Sequence, residues 1–314
     1  MFILWLVACV CTDKKIVPDD WQSKKTAAEA AEPGVAAHAA PVDALPLVAE
    51  PAPGAQNQTR VVAIGDVHGD PGSLVHVLQM AHLLDVNEHW VGGTTTFVQT
   101  GDTTDRGPDS HGVLVLLRRL QAEATAAGGR VIPLLGNHEV MNMQGDWRYV
   151  SPADKEGYGG EEARKAAFSV SGEDGKWLRT LDAVTQVGDT VFCHGGVTSQ
   201  WAAKGIPSLN AEIHAGIDTM TKDGALGQDG PLWFRGYLLE DPPSICPELD
   251  RALTALGAKR MVVGHTTQDS GLPASRCDGK LWGIDTGISA YYGYHYAAIE
   301  IVGDQISPIL PIGK

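Results

Sequence analysis

Short apolar runs and glycine-flanked polar clusters alternate along the middle of this chain. Residues 60–64 are β-prone and run into Gly65-Asp66-Val67-His68-Gly69-Asp70. Residues 94–100 form a second run, which leads into Gly101-Asp102-Thr103-Thr104-Asp105-Arg106-Gly107. A third, 131–135, leads into Gly136-Asn137-His138-Glu139. Between them, Leu74, Leu78, Ala81 and Leu84 recur at helical spacing over 72–84. Leu114, Leu117 and Leu120 mark the buried stripe of a second helix over 110–127, which Gly128-Gly129 terminates. Strand, polar cluster and helix in repetition is the spacing of βαβ units. Three consecutive parallel strands would deliver Asp66, His68, Asp102 and Asn137 to one sheet edge, where open α/β sheets bind ligands.

The rhythm breaks over 140–182, an excursion directly after a ligand-like cluster that reads as a cap over the site, with a charged helical piece at 161–168. Strand character returns at 190–193 and ends at His194-Gly195-Gly196. The pattern then predicts helices over 212–220 and 247–256, separated by an aromatic loop, Pro231-Leu232-Trp233-Phe234-Arg235-Gly236. Residues 260–263 form a strand ending at Gly264-His265-Thr266, and 280–284, 294–301 and 305–310 close the chain as short strands.

The N-terminal stretch differs in kind. Residues 1–11 are apolar but shorter than the roughly 20 residues a membrane-spanning helix needs. They read as part of a signal-peptide apolar region. Leu6-Val7-Ala8-Cys9 resembles the lipobox of bacterial lipoproteins, in which the Cys carries lipid; a chance apolar start is the alternative. Residues 12–58 are rich in Ala, Pro and Glu, lack a periodic apolar face, and read as a disordered tether, with a weak helix near 24–31 as the alternative. The expected organisation is a leader over 1–11, a tether over 12–58 and a folded domain over 59–314. It suits a lipid-anchored protein of the cell envelope or periplasm, the alternative being the cytoplasm.

The 314 residues, 43% of them apolar, suffice for one large domain or two small ones. The net charge of −14 and the absence of a Lys/Arg cluster argue against nucleic-acid binding. The five cysteines form no paired Cys-x-x-Cys, so a zinc finger is not indicated. Cys193 reads as a small core residue, and Cys246 and Cys277 can pair in an oxidising compartment.

Five strand ends thus carry Asp66/His68, Asp102/Asp105/Arg106, Asn137/His138, His194 and His265, and four of the eleven histidines fall among them. A lone histidine after a strand is more often a hydrogen-bonded structural residue than a ligand; five glycine-flanked clusters are not explained that way. The series GDVHGD, GDTTDRG, GNHE, HGG and GHT resembles the calcineurin-like metallophosphoesterases, in their phosphoprotein-phosphatase branch. GNHEVMNMQGDWRYV, LLRRLQAEATAAGG and PLWFRGY further resemble the bacterial-type Shewanella-like protein phosphatases, over most of the chain from Thr59 onward.

The resemblance implies an α/β fold of sandwich type, two mixed β-sheets flanked by helices, with a cap (about 140–185) after the third strand. It implies two divalent cations, Mn, Fe or Zn with Mn favoured, one held by Asp66, His68 and Asp102 and the other by Asp102, Asn137, His194 and His265. Such a pair shares a water, lowers its pKa and directs the hydroxide in line at phosphorus. His138 would be the general acid, oriented and kept cationic by Asp105. Arg106 and Asn137 would hold phosphoryl oxygens. Arg235 is a further candidate, against the alternative of a surface cation stacked on Trp233 or Phe234. Asp70 and Glu139 read as residues that orient ligands or cap helices, Asp146 and Arg148 as pins for the cap, and Asp285 as a turn residue. Tyr291 and Tyr292 read as pocket wall or core. Eukaryotic members carry an arginine immediately before GNHE; here that place is Leu135, so one phosphate clamp is missing or replaced. Their C-terminal regulatory segment is also absent. The expected activity is hydrolysis of phosphate monoesters on a phosphorylated protein, Tyr or Ser/Thr, or on a small molecule. The alternatives are hydrolysis of dinucleoside polyphosphates at the same centre and a lipid-tethered, non-catalytic metal-binding module.

Overall fold

A computed structural model describes residues 60–312; the leader-like segment with Cys9 and the expected tether lie outside the described residues. The first three strands are β1 (Val61–Ile64), β2 (Thr96–Gln99) and β3 (Arg130–Pro133), all parallel, linked by helices α1 (Pro71–Met80) and α2 (Ser110–Ala126). Both helices start where a carboxylate accepts a free backbone N–H: Asp70 from Ser73 and Asp109 from Gly112. These boundaries lie within a residue or two of the periodicity-based expectation, apart from the frayed end of α1.

Between β3 and the next strand, the excursion resolves into four short helices: α3 (Asn137–Met143), α4 (Pro152–Gly157), α5 (Glu161–Phe168) and α6 (Glu173–Leu178). A second sheet follows, from β4 (Val184–Val187), β5 (Thr190–Cys193), β6 (Arg260–Val263), β7 (Ala274–Arg276) and β8 (Leu281–Gly283), in the order β4-β5-β6-β8-β7. Helices α7 (Ser199–Ala202), α8 (Ile206–Asp218), α9 (Gly236–Leu239) and α10 (Pro242–Leu256) lie between β5 and β6. The last hairpin, β9 (Ala298–Val302) and β10 (Gln305–Ile309), returns to the first sheet, where β9 pairs antiparallel with β1.

The two sheets are stacked. Val61, Ala63, Val98, Phe192, Val262, Ile284 and Ile299 form one cluster between them. The alternate residues Val62, Ile64 and Phe97 face Leu74, Leu78, Leu117 and Leu120 of the first helical layer. Cys193, Met261 and Val263 face Leu209, Ile213, Leu249 and Leu253 of the second. Strands buried on both faces read as continuous apolar runs instead of alternating ones, as 61–64 and 261–263 do. The result is the expected α/β sandwich of two mixed sheets flanked by helices.

Three expectations shift. The helix placed at 212–220 starts at Ile206, with Pro207 in its first turn, and the one placed at 247–256 starts at Pro242 and carries Pro247 inside it. Residues 294–297 do not pair, and Tyr294 turns at φ 61°, so that strand begins at Ala298. The edge strands β4 and β7, each paired on one side alone, add to the expected set. The parallel trios β1, β2, β3 and β5, β6, β8 all end at the same side of the sandwich, and all five polar clusters follow those ends.

Cys246 on α10 is bonded to Cys277 in the turn between β7 and β8, 31 positions away in sequence, with Cα atoms 5.4 Å apart. Closing a loop of that size in the unfolded chain is worth about 3–4 kcal/mol by chain entropy. Cys246→Ser is expected to lower the unfolding free energy in guanidinium by about that amount, and reductant to lower the wild-type protein to the same level. A wild-type midpoint indifferent to reductant would show that the bridge is not formed in solution.

Candidate metal centre

The loops after the strands are held in conformations their residues do not favour. His68 (φ 47°), Asp102 (56°), Asp105 (69°), Arg106 (65°) and His265 (63°) all occupy the left-handed region, at about 1 kcal/mol each. Tertiary bonds hold them there. Asp102 O accepts from Val67 N at 3.0 Å and His68 N at 2.9 Å, which locks the first cluster to the second. Glu139 Oε1 accepts from the backbone N–H and hydroxyl groups of Thr103 and Thr104, while Oε2 accepts from Asp102 N and Gly136 N. Two glycines are there because of close approach: a Cβ at Gly136 would overlap Asp102 Oδ1, and one at Gly264 would overlap Asp66 Oδ1.

These loops bring Asp66, His68, Asp102, Asn137, His194 and His265 together, all buried. Asp102 Oδ1 accepts from His138 N, which leaves Oδ2 at the centre. That oxygen lies 3.3 Å from His194 Nε2, 3.7 Å from His68 Nε2 and 3.8 Å from His138 Nε2. Asp66 Oδ1 accepts from His265 N, and its Oδ2 lies 3.9 Å from His68 Nε2. Two groups of ligand atoms each fall within 4.8 Å, His68–Asp102–His138 and Asp102–His194–His265, so Asp102 belongs to both. The first group contains His138 and not Asp66, although Asp66 Oδ2 lies 3.9 Å from His68 Nε2.

The chemistry of the donors fits cations. His68 Nδ1 meets Thr104 O at 3.0 Å and His194 Nδ1 meets Thr100 O at 2.9 Å. A carbonyl only accepts, so both protons sit on Nδ1 and both Nε2 lone pairs point inward. His194 Nε2 then faces Asn137 Oδ1 at 2.9 Å, lone pair against lone pair. His265 Nε2 is buried with no hydrogen-bond partner. Ligand atoms on one ion with bonds of about 2.1 Å lie roughly 3–3.5 Å apart, close to the separations here. Burial, with Asp285 and Asp102 nearby, pushes the Asp66 carboxyl well up. Burial also drives His68 down to about 3, leaving it a neutral ligand.

His138 behaves differently. Its Nδ1 is 2.7 Å from Asp105 Oδ2. Burial alone would push it down, but the Asp102 and Asp105 carboxylates outweigh burial and hold it above the ordinary imidazole value.

A family model for calcineurin-like phosphoesterases matches residues 59–269. The chain is a calcineurin-like phosphoesterase. Among curated relatives, Shewanella-like protein phosphatase 2 of Arabidopsis thaliana is 33% identical, over 73% of this chain and 71% of its own length. Shewanella-like protein phosphatase 1 of Plasmodium berghei is 33% identical over 75% and 68%. An uncharacterised Schizosaccharomyces pombe protein is 37% identical over 80% of each. A cold-active protein-tyrosine phosphatase of a psychrophilic Shewanella species superimposes with a TM-score of 0.72 and 28% identity, over 81% of this chain and 78% of that one. The chain therefore belongs with the Shewanella-like protein phosphatases and is a metallophosphatase of that type.

The structure assigns contacts to the remaining sequence candidates of this phosphatase. Arg106 lies with its guanidinium 4.0 Å above the Tyr149 ring, and its Nη1 is 3.4 Å from Tyr291 Oη. Arg235 is not stacked on its aromatic neighbours; its Nη1 donates to His265 O. Asp70 bonds the N–H groups of Ser73 and Ala290, tying α1 to the turn that carries Tyr291 and Tyr292. Asp285 is more than a turn residue: it is buried beside Asp66 and accepts from Thr267 Oγ1 at 2.6 Å. Asp146 and Arg148 pair at the exposed edge of the cap. Leu135 is fully buried in the core, so nothing from that position reaches a phosphate. Sequence reasoning missed Tyr149 and Arg164, both from the cap. Arg164 was legible in part: four residues before Phe168, it shares the inward stripe of α5, where a cation is out of place.

Glu139→Gln replaces one acceptor oxygen by a donor that faces donors. It is expected to destabilise the fold by about 3 kcal/mol and to weaken metal affinity about 10–100-fold. Denaturant titration and metal analysis after dialysis check the two arms.

Proposed function

We propose that this phosphatase hydrolyses aryl phosphate monoesters, phosphotyrosine on protein being the class its site suits best, at a centre of two divalent cations of the Mn, Fe or Zn type. The observation that carries the reading is the ring of half-buried aromatic side chains around the polar centre. The Tyr292 ring lies 5.2 Å from His68, Tyr149 lies 5.0 Å from His138, and Tyr291 and Tyr149 flank Arg106. Such walls favour a planar ring between them over a serine methylene. The Shewanella structure of the same fold, described as a protein-tyrosine phosphatase, supports it.

Asp66, His68, Asp102, Asn137, His194 and His265 would hold the ions, with Asp102 common to both groups of ligand atoms. When bound, such ions supply Lewis acidity, neutralising phosphoryl charge and making water a nucleophile at neutral pH. Arg106 binds phosphoryl oxygens, held flat by Tyr149 and Tyr291, and Asn137 offers its amide to the same group. His138 delivers a proton from Nε2 to the leaving phenolic oxygen, while Asp105 holds Nδ1–H and fixes the ring. Arg235 braces the His265 backbone instead of gripping phosphate. The Cys246–Cys277 bridge supports residence in an oxidising compartment such as a cell envelope; membrane attachment through Cys9 remains a proposal from the sequence.

With manganese supplied, kcat/KM for a phosphotyrosine peptide is expected to exceed that for the matched phosphoserine peptide by at least about tenfold, from stacking and leaving-group differences. Equal values would refute the aryl preference. Faster turnover of a dinucleoside tetraphosphate would favour the polyphosphate alternative, and no turnover of any ester would favour the binding module. His138→Ala is expected to keep its metal and lose about 10²–10⁴-fold in kcat on the phosphotyrosine peptide. Loss of metal in that variant would instead make His138 a ligand.

A further inference from the structure

Arg164 enters the site from the cap. It is 2% exposed, on α5, and its fork reaches three partners that are themselves buried. Nε donates to Asp154 Oδ2 at 2.9 Å, Nη1 to Asn142 Oδ1, and Nη2 to Asp105 Oδ1 at 3.2 Å. The guanidinium is 4.5 Å from the Phe168 ring centre and 5.4 Å from that of Tyr158, so its plane is set by packing as well as by bonds. Asp105 divides its two oxygens: Oδ2 takes His138 Nδ1 at 2.7 Å, and Oδ1 takes Arg164 Nη2 and Asn142 Nδ2, the latter at 2.9 Å.

Arg164 acts on Asp105 along two routes. Directly, it holds Oδ1 and so fixes the rotation that aims Oδ2 at His138. Indirectly, by donating to Asn142 Oδ1 it decides which way that amide faces, and Nδ2 is thereby turned to Asp105 Oδ1 and to His138 O, 2.8 Å away. The same fork grips Asp154, which accepts from Ser110 N and Ser110 Oγ, and Ser110 Oγ accepts from Asp105 N. The cap is thereby fastened to the loop that bears Asp105.

We propose that Arg164 is a positioning residue for proton delivery by His138: it orients Asp105, directly and through Asn142, and does not touch the substrate. This rests on the reading of His138 as the general acid. Proton delivery matters for a leaving group that is a strong base and not for one that departs unaided. Loss of Arg164 therefore impairs the first kind of substrate selectively, which a loosened fold would not do.

The test uses the full chain loaded with manganese, with phenyl phosphate and 2,4-dinitrophenyl phosphate as substrates. Arg164→Met removes the fork. Arg164→Lys keeps a charge against the buried acids, so that it folds, but its single ammonium does not bridge Asp105, Asn142 and Asp154 together. Both are expected to lower kcat on phenyl phosphate by about 10–100-fold, part of the general-acid contribution. On dinitrophenyl phosphate the fall stays below about threefold, with KM changed less than about twofold on both. The downfield proton resonance of the His138 Nδ1–H to Asp105 bond, read without turnover on zinc-loaded protein because paramagnetic manganese would broaden it away, is expected to move upfield or to vanish by exchange. Equal losses on the two substrates, or wild-type behaviour of the Lys variant on both with its resonance in place, would overturn the proposal. His138→Ala separates the two readings. If it shows the leaving-group selectivity and the Arg164 variants do not, the role of Arg164 is wrong and that of His138 stands. If His138→Ala shows none, the acid assignment itself is wrong and the proposal for Arg164 falls with it.

Discussion

Asp66, Asp102, Asp105, Glu139 and Asp285 lie together out of water, and each has to find donors or cations there. A buried carboxylate left alone costs several kcal/mol or gives up its charge. Three solutions are used side by side. Glu139 is saturated by hydrogen bonds from two loops. Asp105 is shared between an imidazole and a buried guanidinium. Asp66 and Asp102 are left facing imidazole lone pairs, an arrangement that only positive charge completes. The same electrostatics that make these two carboxylates costly without a cation make their surroundings suited to one.

The sandwich exists to make that concentration tolerable. Parallel strands from two sheets end on one side, and their loops bond across the seam, His194 to Thr100 and His265 N to Asp66, while Val67 N and His68 N bond Asp102 O between two loops of the first sheet. Left-handed backbone at His68, Asp102 and His265 would relax in a free peptide. Here each is over-determined by bonds from a different loop, and the apolar layers on both faces of each sheet supply the rigidity. The site is thus pre-organised, and its geometry does not wait for a substrate.

The excursion between β3 and β4 adds further side chains to this polar centre. It contributes Tyr149 to the wall and Arg164 to the polar network, and it is fastened by Arg106 N to Tyr149 O at 2.9 Å and by Ser110 to Asp154. Leu135 is taken into the core, and Arg106 lies between the rings of Tyr149 and Tyr291. Tyr149 and Tyr291 beside Arg106, and the His138 imidazole braced by Asp105, thus lie together next to the buried acids.

The sequence by itself determined the elements and the chemistry. Apolar periodicity marked β1, α1, β2, α2 and β3, and the five glycine-flanked clusters named the side chains that meet at the centre, because strand, turn and ligand are encoded by adjacent residues. It did not determine partners. His265 N reaches Asp66 across 199 positions, Arg164 reaches Asp105 across 59, and the last hairpin passes by the second sheet to pair with β1. It left open whether Cys246 meets Cys277, read Asp285 as a turn residue, and did not show that the Arg235 fork touches His265 O. Only the tertiary structure decided these, because each depends on which desolvated group comes to lie beside which, and distant segments acquire that proximity only when the two sheets close on each other.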